Sequence, residues 1–288
     1  MGLSTPKVDS FLERAEDPLN RFYRYPICHR ILIPLKKTPI TPNHITVLHT
    51  LISLIAASFL SEGHLFIAFV LYEVRLLLDG LDGALAREKQ ASSLNGRMLN
   101  IFGNFVAFVG LMAGSTFYLS SAHPDVPVLN TVVPIGLLVV AMAGIHDFYG
   151  RKVRSALASE KDEVVEQLLE TSGLIHEGKA SWAVQLAYVI DWIQLSILAP
   201  KAMPQIMVRM RKPNSVKGTR LIIEDPSGYR FGRFLNMLAA LGSDNALFIL
   251  HLGMLTGFYV TALRVTLLYG AVAIAAAVLF AQSAFKTE

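Results

Sequence analysis

Two acids and two amides interrupt an apolar stretch. Asp79 and Asp82 follow three leucines, and Asn100 and Asn104 come after a short polar break. In helical geometry Asp79, Asp82, Gly83 and Ala86 stand at i, i+3, i+4 and i+7, so they share one face, with small residues leaving room beside the carboxylates. Gly96, Asn100 and Asn104 recur every four residues and share a face in the same way. Helices joined by a short connection run antiparallel, so the two stripes can oppose each other and bring four oxygen-bearing side chains together beside Arg87. Oxygen ligands on facing helices suit a hard divalent cation such as Mg²⁺ or Mn²⁺, and that cation suits phosphate. A second reading stays open here: helix-end acids in wet headgroups, with Asp79 paired to Arg75 one turn before it.

The elements that must position these groups are membrane helices. Hydrophobic residues make up 53% of the 288-residue chain and charged ones only 17%, against about 25% charged in an average soluble domain. Apolar runs alternate with short polar connections, and a run of ~20 residues crosses ~30 Å of hydrocarbon. The expected fold is all-α and polytopic, with six transmembrane helices at about 44–61, 65–86, 97–120, 128–149, 234–256 and 258–284. Lys and Arg are absent from the 61–64, 120–127 and 256–257 connections and crowd the N-terminal segment, the 87–97 linker and the 150–233 stretch. Such asymmetry marks the cytoplasmic side, so both termini and the motif are expected there. The net charge of +4 then reads as topology and attraction to anionic lipid, and no nucleic-acid partner is expected.

Four segments follow: a cytoplasmic or interfacial 1–43, helices 1–4 with the motif in 44–150, a cytoplasmic or interfacial insertion at 151–233, and helices 5–6 in 234–288. Residues 17–37 mix aromatics, aliphatics and arginines, the composition of an N-terminal interfacial amphipathic helix with its arginines outward. Residues 159–178 read as an acidic amphipathic helix broken near Gly173, and 181–200, which contains Gln185, Asp191 and Gln194, as a helix lying at the interface. No leader is expected, because the first long apolar run begins only near Ile45. The single cysteine, Cys28, excludes an internal disulfide.

The complete spacing resembles the signature of the CDP-alcohol phosphotransferase family, Asp-x2-Asp-Gly-x2-Ala-Arg-x8-Gly-x3-Asp-x3-Asp. Asp79, Asp82, Gly83, Ala86, Arg87 and Gly96 match it in residue and register, and Asn100 and Asn104 stand where its third and fourth aspartates belong. The upstream Thr-Pro-Ile-Thr-Pro-Asn-His-Ile-Thr at 38–46 also looks like this family. The resemblance implies an enzyme of phospholipid biosynthesis that moves a phosphatidyl or related phospho-alcohol group from a CDP-linked donor to an acceptor alcohol and releases CMP. It implies one or two Mg²⁺ or Mn²⁺ ions on Asp79, Asp82, Asn100 and Asn104, with Asn104 at the general-base position. Gly83, Ala86, Arg87 and Gly96, together with Asn43 and Thr46, fall at the cytidine diphosphate. It also implies a homodimer, and a basic pocket for an acceptor's phosphate, for which Arg151, Arg154, Arg230, Arg233 and Arg264 are candidates. A bacterial inner membrane is the expected location.

The asparagines change the chemistry. They reduce the quartet's formal charge from −4 to −2, and an amide accepts no proton near neutral pH, whereas a general base contributes ~10²–10⁴-fold. His146, whose imidazole has an ordinary pKa near neutrality, is a candidate substitute base. The competing expectation is a catalytically silent relative that binds nucleotide or lipid, or stabilises a partner enzyme.

Overall fold

The structure, a computed structural model, describes residues 17–158, 162–211, 221–222, 229–281 and 286–287. It divides into two compact units, one formed by Pro18–Val140 and Ser243–Val272 and the other by Ala141–Gly242 with the two chain ends. The first unit carries the motif. It contains a π-turn at Asn20–Arg24, then α1 (Tyr25–Leu35), α2 (Pro42–Ser61), α3 (Leu65–Glu88) and α4 (Leu94–Ala122). It also takes the first part of α5 (Val128–Ala158), all of α10 (Ser243–Thr256) and the first part of α11 (Tyr259–Ala281). The second unit holds α6 (Glu163–His176), α7 (Trp182–Leu198), α8 (Met203–Arg211) and α9 (Tyr229–Ala240), besides the remainders of α5 and α11. Its Leu221–Ile222 pairs antiparallel with Lys286–Thr287; every longer element is helical.

The helices expose apolar faces while the interior, itself largely apolar, also holds polar groups. Leu48, Leu51 and Ile55 on α2, Phe102, Phe105 and Val109 on α4, and Leu129, Val133, Leu137 and Val140 on α5 are exposed, at helical spacing. Thr46, His49, Ser53, Asp82 and Ser115 are buried. That is the arrangement a lipid solvent demands. Pro42–Ser61, Leu94–Ala122, Val128–Leu157 and Tyr259–Ala277 are long and apolar enough to cross a membrane. Trp182–Leu198 with Pro200–Met210, and Arg230–Ala240 with Ser243–Thr256, reach that standard only as bent pairs. The expected set of six differs in one member. α3 has 24 residues, about 36 Å of helix, but Glu73, Arg75, Asp79 and Asp82 fall within one short window of it. Glu73, Arg75 and Asp82 are buried against protein neighbours, which is how charges persist at membrane depth.

α2 packs along both α3 and α4, while α3 and α4 approach each other mainly through side chains. The start of α2 is fixed by a capping box: Thr41 accepts from the His44 amide, the His44 ring accepts from the Thr41 amide, and Pro42 occupies the first turn. Lys89, just past the end of α3, donates to the Thr38 and Ile40 carbonyls at 2.7 and 2.8 Å and so holds the α1–α2 connection. Along α4, Gly114 lets the backbones meet: a Cβ there would lie 2.7 Å from the Ala57 carbonyl oxygen.

Three local expectations are revised. Arg24 does not point outward with Arg21 and Arg30. It is buried, donating to Asp244 at 3.0 Å, Asn20 at 3.2 Å and Glu73 at 3.5 Å, because those acids offer it a partner below the surface. α6 continues unbroken through Gly173, where space is open, and ends at His176, two residues before Gly178, whose φ of +68° only glycine adopts freely. The 181–200 segment is helical to Leu198 and then turns by 106° at Pro200 into the helix that follows.

Candidate metal and nucleotide site

The two stripes do converge. Asn104 Nδ2 donates to Asp79 Oδ1 at 3.1 Å and to Asn100 Oδ1 at 2.7 Å, and Asn100 Nδ2 reaches Asp82 Oδ1 at 3.4 Å. Thr46, from α2, donates to Asp82 Oδ2 at 2.6 Å. The third helix therefore fixes one carboxylate, and Asp82 is almost fully buried while Asp79 is partly open. Ser93 caps the start of α4 by accepting from the Gly96 amide at 3.1 Å, which sets the register of Asn100 and Asn104.

Arg75 lies one turn before Asp79 and donates a short hydrogen bond to Asn104 Oδ1; its guanidinium also stands 3.9 Å from Asp79 Oδ2. A guanidinium only donates, so the Asn104 atom that faces it must be the oxygen. The Asn104 oxygen is thereby turned to Arg75 and the Asn100 oxygen to the Asn104 amide. Each amide oxygen thus accepts one hydrogen bond and keeps its second lone pair, and Asn104 offers no site for a proton.

Sequence reasoning overlooked His49. It sits on α2, fully buried, with Nε2 3.4 Å from Asp82 Oδ2 and 3.7 Å from Asp79 Oδ1. His49, Asp79 and Asp82 can each present one ligand atom such that all three lie within 4.8 Å of one another. Gly103 of α4 makes space for Thr50, one residue after His49: a Cβ there would come 2.5 Å from Thr50 Oγ1, whereas His49 Cε1 at 3.7 Å would be in ordinary contact. A lone histidine in an apolar run has no spacing partner on its own helix. The available signal was its position one turn after Thr46.

The nucleotide candidates lie along the same end of the unit. A Cβ on Gly96 would stand 3.4 Å from Asn43 Oδ1, so Asn43 and Gly96 are neighbours. Gly83 and Ala86 are half-buried and Arg87 exposed. Between α1 and α3 a cleft of about 570 Å³ is lined by Arg21, Tyr25, His29, Arg30, Ala84 and Arg87, a basic rim at the end of the motif helix. Cys28 forms its floor, and burial pushes this thiol up from its ordinary value.

The basic candidates of the later helices are divided between the two units. Arg151 is buried and paired with Asp191 at 2.8 Å and Asp147 at 3.1 Å, and donates to Gln194 at 2.5 Å, the environment of a structural ion pair. Arg154 is exposed and bonds its own helix at the Gly150 carbonyl. Arg230 and Arg233 are exposed on α9. These four residues and His146 belong to the second unit, whereas Arg264 belongs to the first and is exposed on α11. His146 is half-buried, and its Nε2 has no hydrogen-bond partner among the described residues.

A sequence model described as CDP-alcohol phosphatidyltransferase matches residues 39–197, more than half of the chain. The chain is similar to an inner membrane protein, YnjF, of Escherichia coli K12, at 38% identity over 71 residues. That stretch is 25% of this chain and 34% of the relative, so only about a third of the relative's length is spanned. Among solved structures it is similar to a phosphatidylinositol phosphate synthase from Mycobacterium tuberculosis in apo form, at 18% identity and a TM-score of 0.35, covering 65% of this chain and 98% of that one.

Proposed function

This chain belongs to the CDP-alcohol phosphatidyltransferase family, and on that premise we propose that it transfers a phosphatidyl or related phospho-alcohol group from a CDP-linked donor to an acceptor alcohol, releasing CMP. One observation carries the reading: Asp79 and Asp82 from α3 meet Asn100 and Asn104 from α4 through direct hydrogen bonds, in the register of the family motif. In such a transfer the acceptor oxygen bonds to the transferred phosphorus, the bond from that phosphorus to the CMP oxygen breaks, and the acceptor hydroxyl gives up its proton.

Each residue has a part that its position supports. Asp79 and Asp82 would hold a divalent cation, Mg²⁺ or Mn²⁺, which when bound neutralises diphosphate charge. The donor set fits such an ion, because two carboxylates converge on a buried imidazole whose nitrogens lack hydrogen bonds. Asn43, Thr46, Gly83, Ala86, Arg87 and Gly96 are assigned to the cytidine diphosphate. The small side chains leave room, and the cleft lined by Arg21, Arg30 and Arg87 attracts a polyanion. Asn104 takes no proton, and its oxygen is held by Arg75. Turnover should therefore run ~10²–10⁴-fold below that of a site with a carboxylate base.

The same hydrogen bond favours a second reading, a silent relative that binds a CDP-linked lipid without turning it over. Purified protein given a panel of CDP-linked lipids and acceptor alcohols separates the two. Slow, divalent-dependent CMP release is the expected result. Binding with no CMP release across the panel selects the silent relative. We further place the motif and both termini on the cytoplasmic face of a bacterial inner membrane, as the Lys and Arg asymmetry supports, and the chain in a homodimer, as its family resemblance implies.

A further inference from the structure

The expected quartet of ligands is incomplete. Two of its four members are amides, and the oxygen of each is engaged, Asn104 by Arg75 and Asn100 by Asn104. What stands in their place is His49. It is fully buried in a helix that the motif does not include, and neither of its ring nitrogens has a hydrogen-bond partner among the described residues. Buried polar groups are almost always hydrogen-bonded, and Nε2, which faces both carboxylates without a hydrogen bond, is placed to take a ligand between them.

We infer that His49 is a nitrogen ligand of the cation site, so that this chain holds its ion with His49, Asp79 and Asp82 and favours Mn²⁺ over Mg²⁺. This rests on the reading that Asp79 and Asp82 bind a divalent cation. Geometry supports it. An ion with bonds of about 2.1 Å places its ligand atoms ~3.0 Å apart at right angles and ~4.2 Å apart across the ion. The His49 Nε2 separations of 3.4 and 3.7 Å from the two carboxylates fall between those limits. Thr46 fixes Asp82 by a 2.6 Å hydrogen bond. Chemistry sets the preference. Mn²⁺, though an oxygen-preferring ion, accepts an imidazole nitrogen more readily than Mg²⁺, which keeps oxygen ligands and gives up water reluctantly. A site that exchanges two carboxylates for one imidazole loses anionic oxygen, which Mg²⁺ needs most.

The test is pulsed electron paramagnetic resonance of Mn²⁺ bound to the full chain in detergent, where a coordinated imidazole modulates the spin echo through its nitrogen nuclear spin. The wild type should show that modulation. His49→Asn should abolish it and weaken Mn²⁺ binding by about tenfold or more, with a smaller effect on Mg²⁺, both measured by calorimetry. His49→Ala is a second variant, each being checked by size-exclusion chromatography. If neither variant folds, the wild-type spectrum decides alone. Mn²⁺ bound without nitrogen modulation, or modulation unchanged in a folded variant, overturns the role of His49 and leaves the carboxylate site standing. Failure of the wild type to bind Mn²⁺ at millimolar concentration overturns the cation site as well, and the CMP-release assay still reads the transferase activity independently.

Discussion

An asparagine in place of an aspartate keeps the shape of the side chain and removes its charge. At position 104 this has a visible consequence, because the amide oxygen accepts from Arg75 while its nitrogen donates to Asp79 and Asn100. The double change Asn100→Asp, Asn104→Asp is nearly isosteric, so the fold should survive it, with Arg75 ready to pair with the new carboxylate at 104. Divalent-cation affinity should rise, and CMP release should increase by about tenfold or more, within what a general base supplies. Calorimetry and the CMP assay check the two effects separately. Unchanged cation affinity in a well-folded double mutant would contradict the proposed role of the facing stripes. These four positions were legible in the sequence because spacings of three and four repeat on one helix face. His49 was not, since its relation to Asp79 and Asp82 exists only once α2 packs beside α3.

Helices, unlike single contacts, follow apolar runs that the sequence displays openly, and the helices around the motif lie where those runs are. What the runs do not display is how a polar residue is satisfied. Arg24, in a segment of mixed aromatics and arginines, reads as one more outward cation until Glu73 and Asp244 arrive from distant parts of the chain. Glu73 is shared with His251, 2.7 Å away, and the His251 ring stacks on Tyr72 at 5.5 Å. The network fastens the N-terminal segment to α3 and α10, which in turn seats α1 against the motif helix through Cys28, Leu32, Leu81 and Leu85. Arg24→Ala removes the guanidinium from buried Glu73 and part-buried Asp244, and breaking a buried pair costs roughly 3–5 kcal/mol. A clear fall in melting temperature in detergent is therefore expected. A melting temperature unchanged within a degree or so would mean that the acids find water or another cation.

At the scale of the molecule, the count of crossings depends on two segments that composition alone treats ambiguously: α3, whose charges are buried, and the bent 182–210 pair. The proposed topology puts Ser121 outside and Lys201 inside. Single cysteines at these exposed positions should label from opposite sides with a membrane-impermeant maleimide. Cys28 contributes little background, being 1% exposed, with burial raising its thiol above the ordinary range. Labelling from the same side would make the segment ahead of Lys201, 182–198, a span and reverse the orientation of all that follows.

The central claim is that Asp79 and Asp82 bind a CDP-linked ligand through a divalent cation, and calorimetric titration with a soluble CDP-alcohol, with Mn²⁺ and then with chelator, tests it most directly. The wild type should bind with the ion and lose binding without it, while Asp79→Ala and Asp82→Ala, folded in detergent, should not bind in either condition. Binding that is the same with and without the ion, or the same in both variants as in the wild type, would return these carboxylates to the role of helix-end acids and contradict the account.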